Sequence, residues 1–248
     1  MSERSESARL DRRLVEIGAF PTRARAQAAI AAGLVRINGA LATKASQNVA
    51  ADADISVEGD VHPYVSRGGL KLEGALDRFG VDPSGKTCLD LGASTGGFTD
   101  VLLRRGAAKV YAVDVGAGQL HESLRAEPRV VSLEKTHAKD LSRTLIPDAI
   151  DFLVCDVSFI SMRKALPPAL ALCAPTAQIV SLIKPQFEFG PDKIGKGGMV
   201  TATEEEMNEM LAGMRDWLTA EGWRVSGVIE SPILGGEGAK EFLIAASR

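Results

Sequence analysis

Cysteine is scarce: Cys88, Cys155 and Cys173 are the three in 248 residues. Their number is odd, no Cys-x-x-Cys spacing occurs, and each lies in an apolar stretch. This pattern speaks against disulfides and metal ligation and predicts buried free thiols in a reducing compartment, with no metal site. Long apolar runs are missing too. None approaches the roughly 20 residues that span a bilayer, and the polar opening Met1-Ser-Glu-Arg-Ser-Glu-Ser lacks a signal-peptide core. A cytoplasmic protein without a membrane partner is expected. Net charge is small at −3, so it identifies no partner and the distribution of charge carries the information.

What is present centres on Thr87-Cys-Leu-Asp-Leu-Gly-Ala-Ser-Thr-Gly-Gly-Phe-Thr99. Residues 88–91 read as a buried strand. Gly92, Gly96 and Gly97 read as a turn where backbone approaches a ligand without side-chain interference, and a helix follows. The turn has no Gly-Lys-Ser/Thr ending and makes a poor dinucleotide fingerprint, which disfavours ATP and NAD. Asp114 follows Asp90 by twenty-four residues, at the end of the next strand. A carboxylate there offers two acceptors to the two ribose hydroxyls of an adenosine cofactor, or caps a loop.

The amino-terminal region reads as a compact unit of its own. Leu10, Leu14 and Ile17 recur at helical spacing before Gly18; an alanine-rich helix over 23–32 ends at Gly33; and Asn38-Gly39 between apolar residues predicts a hairpin. A last strand is expected at 55–57. Residues 9–44 hold seven cations, Arg9, Arg12, Arg13, Arg23, Arg25, Arg36 and Lys44, against Asp11 and Glu16. Such a run is either a solvated helix face or a phosphate-binding surface. Arg9-Leu-Asp-x-x-Leu-Val-Glu with Ala26-Gln-Ala-x-Ile-x-Ala-Gly-Leu-Val-x-Ile-Asn-Gly39 resembles an S4-like domain, and the resemblance implies structured RNA as partner. The domain is assigned to 1–60, and 61–66 is read as a linker.

From 67 to 248 strands and helices alternate. Helices are predicted at 68–79, 119–126, 162–173 with a break near Pro167-Pro168, and 204–221. Strands are predicted at 109–115, 129–133, 151–157, 177–183, 223–229 and 241–246. The β-branched strands imply a mostly parallel α/β sheet covered on both faces, closed by an antiparallel terminal hairpin. Asp156 and Lys184 end neighbouring strands and face the same crevice as the glycine turn. Lys71 lies on the border of the apolar face of helix 68–79, where a lysine ordinarily snorkels.

Further motifs are Tyr64-Val-Ser-Arg-Gly-Gly-Leu-Lys-Leu, Tyr111-Ala-Val-Asp-Val-Gly, Asp156-Val-Ser-Phe-Ile-Ser, Lys184-Pro-Gln-Phe-Glu and Gly195-Lys-Gly-Gly. With the glycine turn, they resemble the TlyA family, ribosomal RNA 2′-O-methyltransferases also labelled hemolysin A and related to FtsJ-type enzymes. The resemblance implies a Rossmann-like methyltransferase sheet behind a small α+β S4-like domain. It implies S-adenosylmethionine as cofactor, ribosomal RNA or ribosomal subunits as partner, and cytidine in 16S or 23S RNA as acceptor. The family's Lys-Asp-Lys-Glu tetrad falls on Lys71, Asp156, Lys184 and Glu241. Cofactor contacts are implied for Asp90, Gly92, Ala93, Ser94, Thr95, Gly96, Gly97, Asp114, Val115, His137 and Asp156, although His137 stands where the family carries Asn. Arg67, Lys193 and Lys196 join the expected RNA contacts. Two alternatives are a noncatalytic RNA-binding or ribosome-assembly factor, against which Asp156 and Lys184 weigh, and a membrane-active hemolysin, which no amphipathic or spanning segment supports.

Overall fold

A computed structural model describes residues 7–20, 22–31, 33–57, 62–195 and 199–248. The chain divides into two compact units, 1–63 and 64–248.

The smaller unit begins with β1 (Ala8–Arg9), α1 (Leu10–Glu16) and α2 (Arg23–Ala31), then β2 (Val35–Ile37), β3 (Ala40–Leu41), β4 (Asn48–Val49) and β5 (Ile55–Val57). β2 is central to a three-stranded antiparallel sheet with β3 and β5, and β1 pairs with β4. Asn38 and Gly39 both have positive φ, 49° and 79°, as a tight two-residue hairpin requires. Leu10, Leu14, Phe20, Ala26, Ile30, Val35 and Val49 form its core. Ile17, expected on the apolar face, is 47 % exposed. The helix closes at Glu16, left-handed Gly18 turns the chain, and Phe20, which donates its N–H to the Leu14 carbonyl, is the buried apolar side chain there.

The larger unit is a seven-stranded sheet in the order β11-β12-β10-β9-β6-β7-β8. Its strands are β6 (Thr87–Leu91), β7 (Lys109–Val113), β8 (Val130–Leu133), β9 (Ile150–Cys155), β10 (Cys173–Ile183), β11 (Arg224–Glu230) and β12 (Phe242–Ser247). Six strands run in one direction, and only β12, between β10 and β11, runs antiparallel to its neighbours. Both faces are buried: Leu153 and Ile179 enter one core, while Phe152, Val154 and Val180 enter the other. This is why the strands read as continuous apolar runs. The helices are α3 (Gly68–Phe79), α4 (Gly97–Arg104), α5 (Glu122–Arg125), α6 (Met162–Ala165), α7 (Pro167–Leu170), α8 (Pro185–Glu188) and α9 (Glu204–Ala220). Thr203 and Glu206 close a reciprocal capping box on α9. Among the described residues no helix is long and apolar enough to cross a membrane.

Three local expectations are corrected. The helix expected over 119–126 shrinks to the single turn Glu122–Arg125, with His121 as its N-cap, and the Gln119 and Leu120 N–H groups before it donate to the Glu134 carboxylate. The helical stretch expected to reach residue 173 ends at Leu170, and Cys173 opens β10 before a register shift across 173–178. Tyr64 to Ser66, read as linker, belong to the larger unit. Tyr64 is buried and donates to Glu73 at 2.6 Å, while the Val65 N–H donates to Asp100 at 2.9 Å. All three cysteines are buried free thiols, each pushed up to about 12 by burial.

Candidate active site

The chain winds outward from β6 to β7 and β8, then returns to place β9 on the other side of β6. The carboxyl ends of β6 and β9 therefore flank the point where strand order reverses, the usual ligand crevice of such sheets. β6 delivers the glycine turn there and β9 delivers Asp156. A Cβ on Gly92 would lie 2.5 Å from the Asp156 carbonyl oxygen. On Gly96 it would strike Leu124, and on Gly97 it would strike Ser66. Each of these glycines lets protein close on protein, and Gly92 and Gly96 also adopt φ of 89° and 97°.

The turn is braced from outside. Asp114 accepts the Ser94 N–H through Oδ2 at 2.8 Å and the Gly116 N–H through Oδ1 at 2.7 Å. It caps its loop, and each oxygen retains acceptor capacity. Asp90 is fully buried and accepts from the Thr99 hydroxyl through Oδ2 at 2.6 Å. Its Oδ1 has no hydrogen-bond partner among the described residues. Burial first, with the nearby Asp156 and Asp114 charges adding, raises this carboxyl to about 7, although the Thr99 hydrogen bonds oppose the shift.

A cavity of about 170 Å³ opens at the turn, lined by Gly92, Ala93, Ser94, Thr95 and Gly97 together with Ser66, Gly68, Phe98, Asp156, Ser158 and Lys184. Lys184 follows β10 directly, and its Nζ lies 2.5 Å from Asp156 Oδ1 and donates to Ser158 Oγ at 2.9 Å. The approach to Asp156 is a close ion pair that lies off the hydrogen-bond direction. One strand over, Lys71 and Glu241 form a second pair at 2.5 Å, with side chains 8 % and 3 % exposed. Lys71 does not snorkel; α3 buries it beside Leu72, Ala75 and Leu76. Ile183 pairs with Phe242 across β10 and β12, so the next step brings Lys184 and Glu241 opposite one another. Four charged residues from distant parts of the chain thus form two ion pairs beside the carboxyl ends of β9 and β10.

Residues 64–248 match the FtsJ-like methyltransferase family, and residues 8–55 match the S4 domain. The chain belongs to the FtsJ-like methyltransferase family. It is 44 % identical to the 16S/23S rRNA (cytidine-2′-O)-methyltransferase TlyA of Mycobacterium tuberculosis, over 96 % of this chain and 88 % of that one. It is 40 % identical to Hemolysin A of Brachyspira hyodysenteriae, over 95 % of this chain and 98 % of the relative. A solved structure of a hemolysin-named protein from Streptococcus thermophilus superposes with a TM-score of 0.75 and 37 % identity, covering 98 % of this chain and 89 % of that one.

Within this FtsJ-like unit, other expected residues sit apart from the cavity. Val115 and His137 are exposed and do not line it. His137 precedes a single 3-10 turn and its side chain caps nothing. Arg67, expected on RNA, donates to the Gly235 carbonyl at 3.1 Å and ties the start of α3 to the loop before Glu241. Lys193 is paired with Glu206 at 2.5 Å, and Lys196 lies outside the described residues. In the S4 unit, Arg9 and Arg23 share Asp11, Arg12 and Arg13 share Glu16, and Arg36 donates to the Gly39 carbonyl. Arg25 and Lys44 are exposed.

Three residues with no role in the sequence reading emerge: Ser158 on Lys184, Ser66 in the cavity wall, and Phe159. Phe159 is 91 % exposed at φ 65°, and its ring centroid lies 5.3 Å from that of Phe187. A bulky side chain in the left-handed region is strained, a feature concentrated at functional sites. The available signal was an aromatic three residues past a strand-end carboxylate.

Proposed function

We propose that the protein transfers a methyl group from S-adenosylmethionine to a ribose 2′-hydroxyl of ribosomal RNA, with cytidine as the acceptor nucleoside. The observation that carries this reading is Lys184, paired with Asp156, bonded to Ser158 and lining the same cavity as the glycine turn. The residues around the turn fit the cofactor. Asp114 keeps acceptor capacity on both oxygens for a ribose diol, and the orphan Asp90 Oδ1 supplies a buried acceptor for an ammonium group. Gly92 to Gly97 and Asp114 are assigned to the cofactor on this reading, whereas Val115 and His137, which do not line the cavity, are assigned to it on the family resemblance alone. When bound, the cofactor supplies an electrophilic methyl group on its sulfonium.

A ribose hydroxyl is a weak nucleophile, so the protein must act on its proton or its oxygen. Lys184 serves there, taking the proton or stabilising the oxygen as charge develops, and Asp156 and Ser158 orient its amine. Lys71 and Glu241 stand beside it as a buried ion pair outside the cavity lining. Phe159 presents an aromatic face to a base, the common means of holding an unstacked nucleotide. On this reading the S4 unit grips structured RNA, and the protein works in the cytoplasm on ribosomal subunits. The relatives named rRNA methyltransferases and the S4 match support this reading. The test is transfer of labelled methyl from S-adenosylmethionine to isolated small and large ribosomal subunits, followed by mapping of 2′-O-methyl positions. No incorporation into either subunit refutes it.

A further inference from the structure

Two of the seven cations in residues 9–44 of the S4 unit converge on a carboxylate that solvent does not reach. Asp11 is fully buried at the start of α1. Arg9 donates to it from Nε at 3.1 Å and from Nη2 at 3.0 Å, Arg23 from Nη2 at 2.9 Å, and Gln27 from Nε2 at 2.7 Å. Three of these four donors converge on Oδ2, and Oδ1 accepts the fourth, from Arg9 Nε. The hydrogen bonds from Arg9 and Arg23 hold the Asp11 carboxyl well below the usual range. The arginines themselves remain about half exposed, at 47 % and 55 %. Each keeps most of its five N–H groups without a hydrogen bond to any described residue.

The neighbouring cations differ. Arg12 and Arg13 share Glu16, whose carboxylate is 39 % exposed and would meet an incoming anion beside its arginines. At Arg9 and Arg23 the balancing carboxylate lies beneath, so an anion meets two guanidinium forks and no acid. A guanidinium already anchored loses less freedom when it grips a second oxyanion, and its planar fork matches phosphate oxygens.

We propose that Asp11 unites Arg9 and Arg23 into one site for a single backbone phosphate of structured RNA, with the arginines as ligands and Asp11 as positioning residue. This rests on the reading of the protein as an RNA methyltransferase. The test uses the full chain and isolated ribosomal subunits, measuring affinity against salt concentration. Each phosphate contact contributes roughly 0.7 to 0.9 to the slope of log affinity against log salt. Arg9→Ala and Arg23→Ala are each expected to flatten the slope by about that amount, and the double variant by no more than either single variant. Asp11→Asn removes a negative charge, so a diffuse electrostatic role predicts tighter binding; a positioning role predicts weaker binding with the slope of the arginine variants. Circular dichroism melts follow folding, and should Asp11→Asn unfold the unit, the arginine double variant decides alone. Additive losses in the double variant, or an unchanged slope in variants of a protein that binds and methylates RNA, overturn the site. A wild-type protein that neither binds nor methylates RNA overturns the underlying reading as well.

Discussion

Lys184 and Lys71 have the same chemistry and different surroundings. Lys184 lines the cavity, so Lys184→Ala is expected to retain S-adenosylhomocysteine binding by calorimetry while methyl transfer falls on the order of a hundredfold or more. Normal turnover would remove it from the mechanism. Lys71 is sealed against Glu241, and removing one member of a buried pair strands the other charge. Lys71→Met should cost about 3–5 kcal/mol in urea unfolding. The double variant Lys71→Met/Glu241→Leu should regain most of that stability without regaining activity, separating what the pair does for the fold from what it does for the reaction. Asp90 adds a pH signature. Its carboxyl is raised to about 7 in the fold against an ordinary value near 4, so the native state binds more protons than the unfolded one between those values. Its contribution is full below about pH 4 and is lost as pH rises towards 7. Asp90→Asn should therefore gain stability relative to wild type from pH 5 to pH 8, and parallel stability curves would show that Asp90 does not titrate there.

The loop between β11 and β12 does more than connect a hairpin. Arg67 anchors it through the Gly235 carbonyl, and the Glu241 carboxylate packs directly on the Cα of Gly235, where a methyl group would collide with it. Gly236, its neighbour, has open space around the same position and no left-handed φ. Gly235→Ala is expected to displace Glu241 and lower methyl transfer tenfold or more, leaving cofactor affinity near wild type, while Gly236→Ala stays within twofold of wild type. Equal effects from the two would mean that loop flexibility, and not the Glu241 contact, matters. The turn after β6 follows the same logic. Its glycines are set by close protein contacts and by left-handed backbone, so its shape is built before any ligand arrives.

Each of the two units has its own apolar core. This division predicts a separable function. A protein lacking residues 1–63 should bind S-adenosylhomocysteine with unchanged affinity, bind ribosomal subunits more weakly, and show a flatter salt dependence of that binding, by roughly 0.7 to 0.9 for each phosphate that the smaller unit neutralises. An unchanged slope would mean that the cations of the smaller unit do not touch RNA.

Much of this was written locally. Asn38-Gly39 specified its hairpin because both positions need positive φ, and Gly68 to Phe79 specified a helix because its apolar residues recur at helical spacing. The alternation of strands with helices determined a parallel sheet, and the motifs determined the family. Other features had no local signal. Whether a strand-end carboxylate faces a ligand or a loop depends on partners far away in sequence, and Asp114 proved to brace Ser94 and Gly116. Lys71 looked like a residue that reaches for water because its counter-ion, Glu241, lies 170 residues further along. Ile17 kept helical spacing one residue after its helix had ended. The sequence by itself determined periods, turns and chemistry, since these depend on neighbours within a few residues. Only the tertiary structure decided which charges pair, since burial and counter-ions are properties of the packed chain.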